Sequence, residues 1–155
     1  MADKQKPMVL VCDDEKEIVE SIAGTLEETG KYKVLKAFSG EEALKKIEEH
    51  NKGVFKKDKI KLVLMDIRMP DIDGIDTMTK IHDIDKDVRA LMVTAYDEDN
   101  YWIDSVFLGY AIAYIIKPFK ENQLLEKVED YFRGKANVLK TQAMAEFINR
   151  KNESI

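Results

Sequence analysis

Four short apolar runs in this chain each stop on a residue that can do chemistry. Met8-Val9-Leu10-Val11-Cys12 runs into Asp13-Asp14-Glu15, Leu62-Val63-Leu64-Met65 into Asp66, Ala90-Leu91-Met92-Val93 into Thr94-Ala95, and Ala113-Tyr114-Ile115-Ile116 into Lys117-Pro118-Phe119. If these runs are strands of one parallel sheet, three carboxylates, a hydroxyl and an ammonium group meet at one edge, where open α/β sheets bind ligands. Carboxylates that close repel one another, so without a counter-charge at least one is held above the ordinary carboxylate pKa. An all-oxygen set of aspartates suits Mg2+, which prefers octahedral geometry and keeps some of its waters. Asp13 and Asp14 then serve as metal ligands while Asp66 keeps an oxygen free to attack phosphorus, as aspartate does in covalent phosphoryl transfer. The charge on an aspartyl phosphate calls for Mg2+, the Lys117 ammonium and the Thr94 hydroxyl as partners. Taken singly, each of these residues is as well explained by a turn, a cap or an ordinary strand. Their shared placement at strand ends points to one site.

Such a site needs particular elements to position it. Unbroken aliphatic runs bounded by turn signals read as strands buried on both faces. Ile18, Ile22 and Leu26 recur four apart with charges between them, and Gly30 ends that helix. Lys33 to Ala37 reads as a further strand, and Ser39-Gly40-Glu41-Glu42 as a capping box opening a helix whose buried side carries Ala43, Leu44 and Ile47. Helical patterns follow through Ile75, Met78 and Ile81, over Asn100 to Leu108, and from Lys120 to Arg133 through Leu124, Val128 and Phe132. The lysine-rich connection from His50 to Lys61 is longer than the usual span of about two to six residues and is expected to be an exposed insertion. Strict alternation of strand and helix predicts a doubly wound α/β domain, a five-stranded parallel sheet with helices on both faces. Asp71-Ile72-Asp73-Gly74 and Asp83-Ile84-Asp85-Lys86-Asp87 invite a calcium-loop reading, but both fail it. The first has its glycine too early, and the second has Val88 in the glycine place and Thr94 where a glutamate should close the loop.

At 155 residues, 45% hydrophobic and 35% charged, the chain has room for one globular domain with a useful core. A net charge of -5 without a basic stripe argues against nucleic acid as a partner. Met1 to Pro7 is polar and leads into an apolar run far too short for a signal segment or a membrane span, so a cytoplasmic location without a membrane partner is expected. Cys12 is the only cysteine, which excludes an internal disulfide and suits a small buried hydrophobe. His50 and His82 lie away from the strand ends, which argues against zinc.

Asp13-Asp14-Glu15, the run into Asp66 with Met69-Pro70 and Gly74 after it, Thr94-Ala95 and Lys117-Pro118-Phe119 together resemble the receiver domain of two-component response regulators, over about residues 7 to 133. The resemblance implies a flavodoxin-like fold with strand order 2-1-3-4-5. It also implies that Asp66 accepts a phosphoryl group from a phosphohistidine on a sensor histidine kinase or phosphotransfer protein. Asp13, Asp14, Asp66 and the Arg68 backbone carbonyl would then surround Mg2+, and Lys117 and Thr94 would contact the phosphoryl oxygens. A cis Lys117-Pro118 peptide bond is implied as well. So is a switch in which the Thr94 hydroxyl moves toward the phosphoryl group while Tyr114 rotates inward, altering the surface that meets a downstream protein target. On this reading residues 1–133 are the receiver, residues 134–155 a helical extension without a separate output domain, and the chain is a signalling phosphoacceptor rather than an enzyme. Two rivals remain beside it. One is a binding module of the same fold that signals without phosphorylation, against which the intact acidic, Thr and Lys set speaks. The other is a Mg2+-dependent phosphohydrolase working through an aspartyl phosphate, which needs a further general acid near Asp66.

Some features depart from the pattern or extend beyond it. Arg68 and Tyr96, each two residues beyond a site residue, are bulky and are expected to crowd an attacking water and prolong the phosphoryl group's lifetime. The segment from Thr94 to Lys117 is about one residue longer than the family pattern, at Gly109-Tyr110, which leaves the register of the helix between Asn100 and Tyr110 open. That helix holds Tyr101, Trp102, Ile103, Val106, Phe107 and Leu108, more apolar surface than one inward stripe accounts for. Trp102 and Val106 are either core or a partner or homodimer surface beside Tyr114. Beyond Gly134, Ala136, Leu139, Ala143 and Phe147, with Met144 and Ile148 beside them, form an amphipathic helix. It can pack on the receiver, pair with a second copy, or begin a linker.

Overall fold

The computed structural model describes residues 5–53, 58–95 and 110–153. Strands β1 (Met8–Cys12), β2 (Lys33–Ala37), β3 (Ile60–Met65), β4 (Arg89–Thr94) and β5 (Ala111–Ile116) form one parallel sheet in the order β2-β1-β3-β4-β5. The predicted doubly wound, flavodoxin-like architecture is therefore the one observed. Helices α1 (Lys16–Glu28), α2 (Gly40–Asn51), α3 (Gly74–Ile84), α4 (Glu121–Phe132) and α5 (Ala136–Glu153) cover it. The chain steps one way from β1 to β2 and then back past β1 to β3. Right-handed crossovers consequently put α1 and α2 on opposite faces. α1 packs beside α4, and α2 beside α3.

Burial explains why the strands carry so few polar residues. Every residue of β1 is buried, and so is every residue of β3 except Lys61, because both strands have a neighbour on each edge and helices above and below. β2 lies at the sheet edge and is only partly covered. Among the described residues no helix is long and apolar enough to cross a membrane.

The starts of α2 and α3 are set by side chains that satisfy free N–H groups of the first turn. At α2 the Ser39 hydroxyl accepts from the Glu42 N–H at 3.1 Å, as the capping box predicts. The Glu42 carboxylate reaches back one residue further than such a box requires, accepting from the Phe38 N–H at 2.6 Å. Asp71, from the failed calcium loop, accepts from the N–H groups of Gly40 and Glu41 at 3.3 and 3.0 Å. Asp73 caps α3 through the Asp76 N–H at 2.8 Å. The long connection after α2 is pinned at its base, where the buried Asn51 amide donates to the Ile60 carbonyl and accepts from the Ile60 N–H, both at 2.9 Å.

The C-terminal helix packs on the domain. Gly134 has φ +80°, and its N–H bonds the Tyr131 carbonyl at 3.1 Å while the Lys135 N–H bonds the Asp130 carbonyl at 3.0 Å. This left-handed helix end favours glycine and reverses the chain between α4 and α5. α5 then lies against β5 and α4. Leu139 and Ala143 are buried and Met144 partly so, while Ile148 and Val138 are each 50% exposed. Of the three roles open to this segment, packing on the domain is the one seen. The helix read over Asn100 to Leu108, with Trp102, Val106 and its register, lies outside the described residues.

Candidate functional site

Register brings the acidic residues together. Cys12 of β1 pairs with Met65 of β3, so the residues that follow them, Asp13 and Asp66, emerge side by side. The Asp66 N–H bonds the Cys12 carbonyl at 3.0 Å, and the Asp13 N–H bonds the Ala37 carbonyl at 3.3 Å. Each aspartate is thus fixed by the ladder it leaves. Carboxylate oxygens of Asp13, Asp14 and Asp66 lie within 4.8 Å of one another. Asp13 and Asp66 are buried, 2% and 6% exposed, whereas Asp14 faces solvent.

Lys117 closes the cluster. It follows β5, and its N–H bonds the Thr94 carbonyl at 2.7 Å, tying it to the end of β4. Its ammonium pairs with Asp13 at 2.5 Å and lies 3.8 Å from Asp66. A lysine stem suits this position because it carries a compact charge from the edge strand back toward the middle of the sheet. Thr94 sits between them at the end of β4, 3% exposed.

Burial pushes the Asp66 carboxyl up to about 7, with Asp13 and Asp14 adding to the rise and Lys117 and the Ile67 backbone opposing it. Asp14 is raised too, by lost hydration first and then by Asp13 beside it. A raised carboxylate is what crowding predicts, but at Asp66 desolvation is a larger cause than repulsion.

The loop after Asp66 is shaped by a close approach. The Gly74 N–H bonds the Ile67 carbonyl at 2.6 Å, and a Cβ on Gly74 would collide with the Asp66 backbone carbonyl and the Met65 side chain. Only glycine leaves room there. Arg68 is exposed in this loop, two residues beyond Asp66. Tyr114 lies in β5 opposite Met92 and is 6% exposed. Tyr96 lies outside the described residues. The Lys117-Pro118 peptide bond is cis. Cys12 is buried, with its thiol facing the Ser39 carbonyl at 3.3 Å and the Met69 sulfur at 3.7 Å, and burial raises its pKa, as befits an inert packing residue.

Sequence reasoning missed Asp71, which ties the Asp66 loop to the start of α2. Its partners are 31 and 30 residues distant, and no local pattern announces such a pairing. A cleft of about 660 Å3 opens beside Lys117, between α1 residues such as Ile18 and Ser21 and the turn at Pro118 and Phe119.

Residues 9–129 match the family model of the response regulator receiver domain. The chain belongs to that family. This receiver domain is 32% identical over 120 residues to the chemotaxis protein CheY of Bacillus subtilis, covering 77% of this chain and 92% of CheY. It superposes with a TM-score of 0.72 and 30% identity on a CheY-like receiver domain protein from Methanospirillum hungatei, covering 89% of this chain and 99% of the other. Response regulator TrrA of Thermotoga maritima, solved in complex with Mg(2+)-BeF, is 34% identical with a TM-score of 0.64, over 80% of this chain and 97% of TrrA. The chain spans about half the length of several curated transcriptional regulators that it also matches. Receiver domains bind Mg2+ in a cluster of acidic residues, and Asp13, Asp14 and Asp66 form such a cluster here.

Proposed function

We propose that this receiver accepts a phosphoryl group from a phosphohistidine of a sensor histidine kinase or phosphotransfer protein onto Asp66, and signals to a downstream protein through the surface around Tyr114. One observation carries the reading: a buried carboxylate, Asp66, lies 3.8 Å from the Lys117 ammonium among two further carboxylates. The all-oxygen donor set fits Mg2+, which Asp13, Asp14 and Asp66 would hold together with the Arg68 backbone carbonyl. When bound, the ion supplies positive charge at the phosphoryl oxygens.

The remaining work falls to the chain itself. An Asp66 oxygen bonds to phosphorus as the phosphorus–nitrogen bond breaks, and the departing imidazole nitrogen keeps the bonding pair. Only the ionised carboxylate can attack, so Lys117, which favours ionisation, raises the reactive fraction. Lys117 and the Thr94 hydroxyl then face the phosphoryl oxygens, and Thr94 with Tyr114 forms the switch. On this proposal Arg68 and Tyr96, each two residues beyond a site residue, crowd an attacking water and prolong the lifetime of the phosphoryl group.

Intact mass after incubation with Mg2+ and acetyl phosphate tests the reading. A single phosphoryl adduct in the wild type that is missing in Asp66→Asn supports it, and no adduct in protein shown to bind Mg2+ refutes it. Decay of that adduct unchanged by Arg68→Ala and Tyr96→Ala removes the shielding role.

A further inference from the structure

A cleft of about 540 Å3 lies where α5 meets the end of β5. Tyr114 and Lys117 form its wall on the strand side, Gln123 of α4 lines it as well, and Glu146 and Asn149 face them from α5. Below it, Leu139 and Ala143, each 1% exposed, seat the helix on the domain. β5 is, like β2, an edge strand of the sheet, yet Ala111 to Ile115 are all buried, and α5 supplies part of that cover. Lys117 therefore does two things at once. It pairs with Asp13 at 2.5 Å on the acidic side, and it borders the cleft that the exposed Glu146 lines from α5.

We infer that α5 is the resident occupant of the interaction surface around Tyr114, and that phosphorylation of Asp66 loosens it. The inference rests on the phosphoacceptor reading. Its sign follows from charge. A phosphoryl group on Asp66 adds about one net negative charge at neutral pH. That charge draws the Lys117 ammonium further toward the acidic side, and the cleft that Glu146 shares with Lys117 becomes more negative, which disfavours the seating of α5 against it. Among the described side chains of α5, Leu139 and Ala143 are buried while Val138 and Ile148 are half exposed, so part of the helix opens to solvent where a change in charge can act on it. Because coupling free energies are reciprocal, a chain whose α5 is already loose stabilises the phosphorylated state relative to the unphosphorylated one.

The test uses the full chain with Mg2+ and acetyl phosphate, following intact mass and amide hydrogen exchange in the same samples. Where the adduct forms, exchange across residues 139–149 is expected to quicken about fivefold or more, the lower end of usual coupling factors, while α2 stays unchanged. Glu146→Lys, at an exposed position that folding tolerates, should still form the adduct but lose the acceleration. An adduct with unchanged or slower exchange in α5 overturns the inference alone, and so does an acceleration that Glu146→Lys retains. Absence of any adduct overturns the phosphoacceptor reading and this coupling with it.

Discussion

Asp66→Asn should stabilise the metal-free protein at alkaline pH while abolishing phosphoryl acceptance. In the folded chain the Asp66 carboxyl titrates at about 7, against an ordinary value of 3.8. Between those values the folded state holds a proton that the unfolded state has released. Stability from this group is therefore fully present below pH 4 and is lost as pH rises through 7. At about 1.4 kcal/mol for each pH unit of separation, the loss reaches about 4 kcal/mol by pH 8, of which about 3 kcal/mol falls between pH 5 and pH 8. Urea unfolding in EDTA at those two pH values reads it directly. The wild type should weaken by about 3 kcal/mol across the interval through Asp66, and Asp66→Asn by that much less. Asp14, shifted the same way, leaves some dependence in the variant. Mg2+ at ten times its dissociation constant should return about 1.4 kcal/mol to the wild type at pH 8 and less to the variant. Parallel pH dependences for the two proteins would refute the claim that burial holds the Asp66 charge at a cost.

Lys117→Met leaves the Asp13 carboxylate, 3% exposed, without its cation, and should cost about 3 kcal/mol in urea unfolding at pH 8, partly recovered by Mg2+. Gly74→Ala drives a methyl group against the Asp66 backbone carbonyl and should cost about 3 kcal/mol, with a lower melting temperature and weak adduct formation in the mass assay. Gly134→Ala places a side chain at φ +80° and should cost about 1 kcal/mol, and exchange should quicken in α5 more than in α2.

Much of this protein was legible before any coordinates. Aliphatic runs at regular intervals, each followed by a helical period, leave little choice but a parallel sheet, because runs without polar alternation must be covered on both faces. The strand ends then announce the site, since Asp13, Asp66, Thr94 and Lys117 interrupt apolar sequence abruptly. Asp71 and Asp73 show where local reading stops. As a motif they suggest a poor calcium loop. In the fold they are helix caps, one of them for a helix about thirty residues upstream.

By itself the sequence determined the sheet, its order through the family resemblance, and which residues compose the acidic cluster, because periodicity and strand-end chemistry are local properties. Tertiary structure alone decided that Lys117 pairs with Asp13 more closely than with Asp66, and that burial outweighs repulsion in raising the Asp66 pKa. It also decided that α5 folds back onto β5 rather than leaving the domain. Those outcomes depend on distances between residues far apart in the chain and on how much water reaches them, and neither quantity is written in any local pattern.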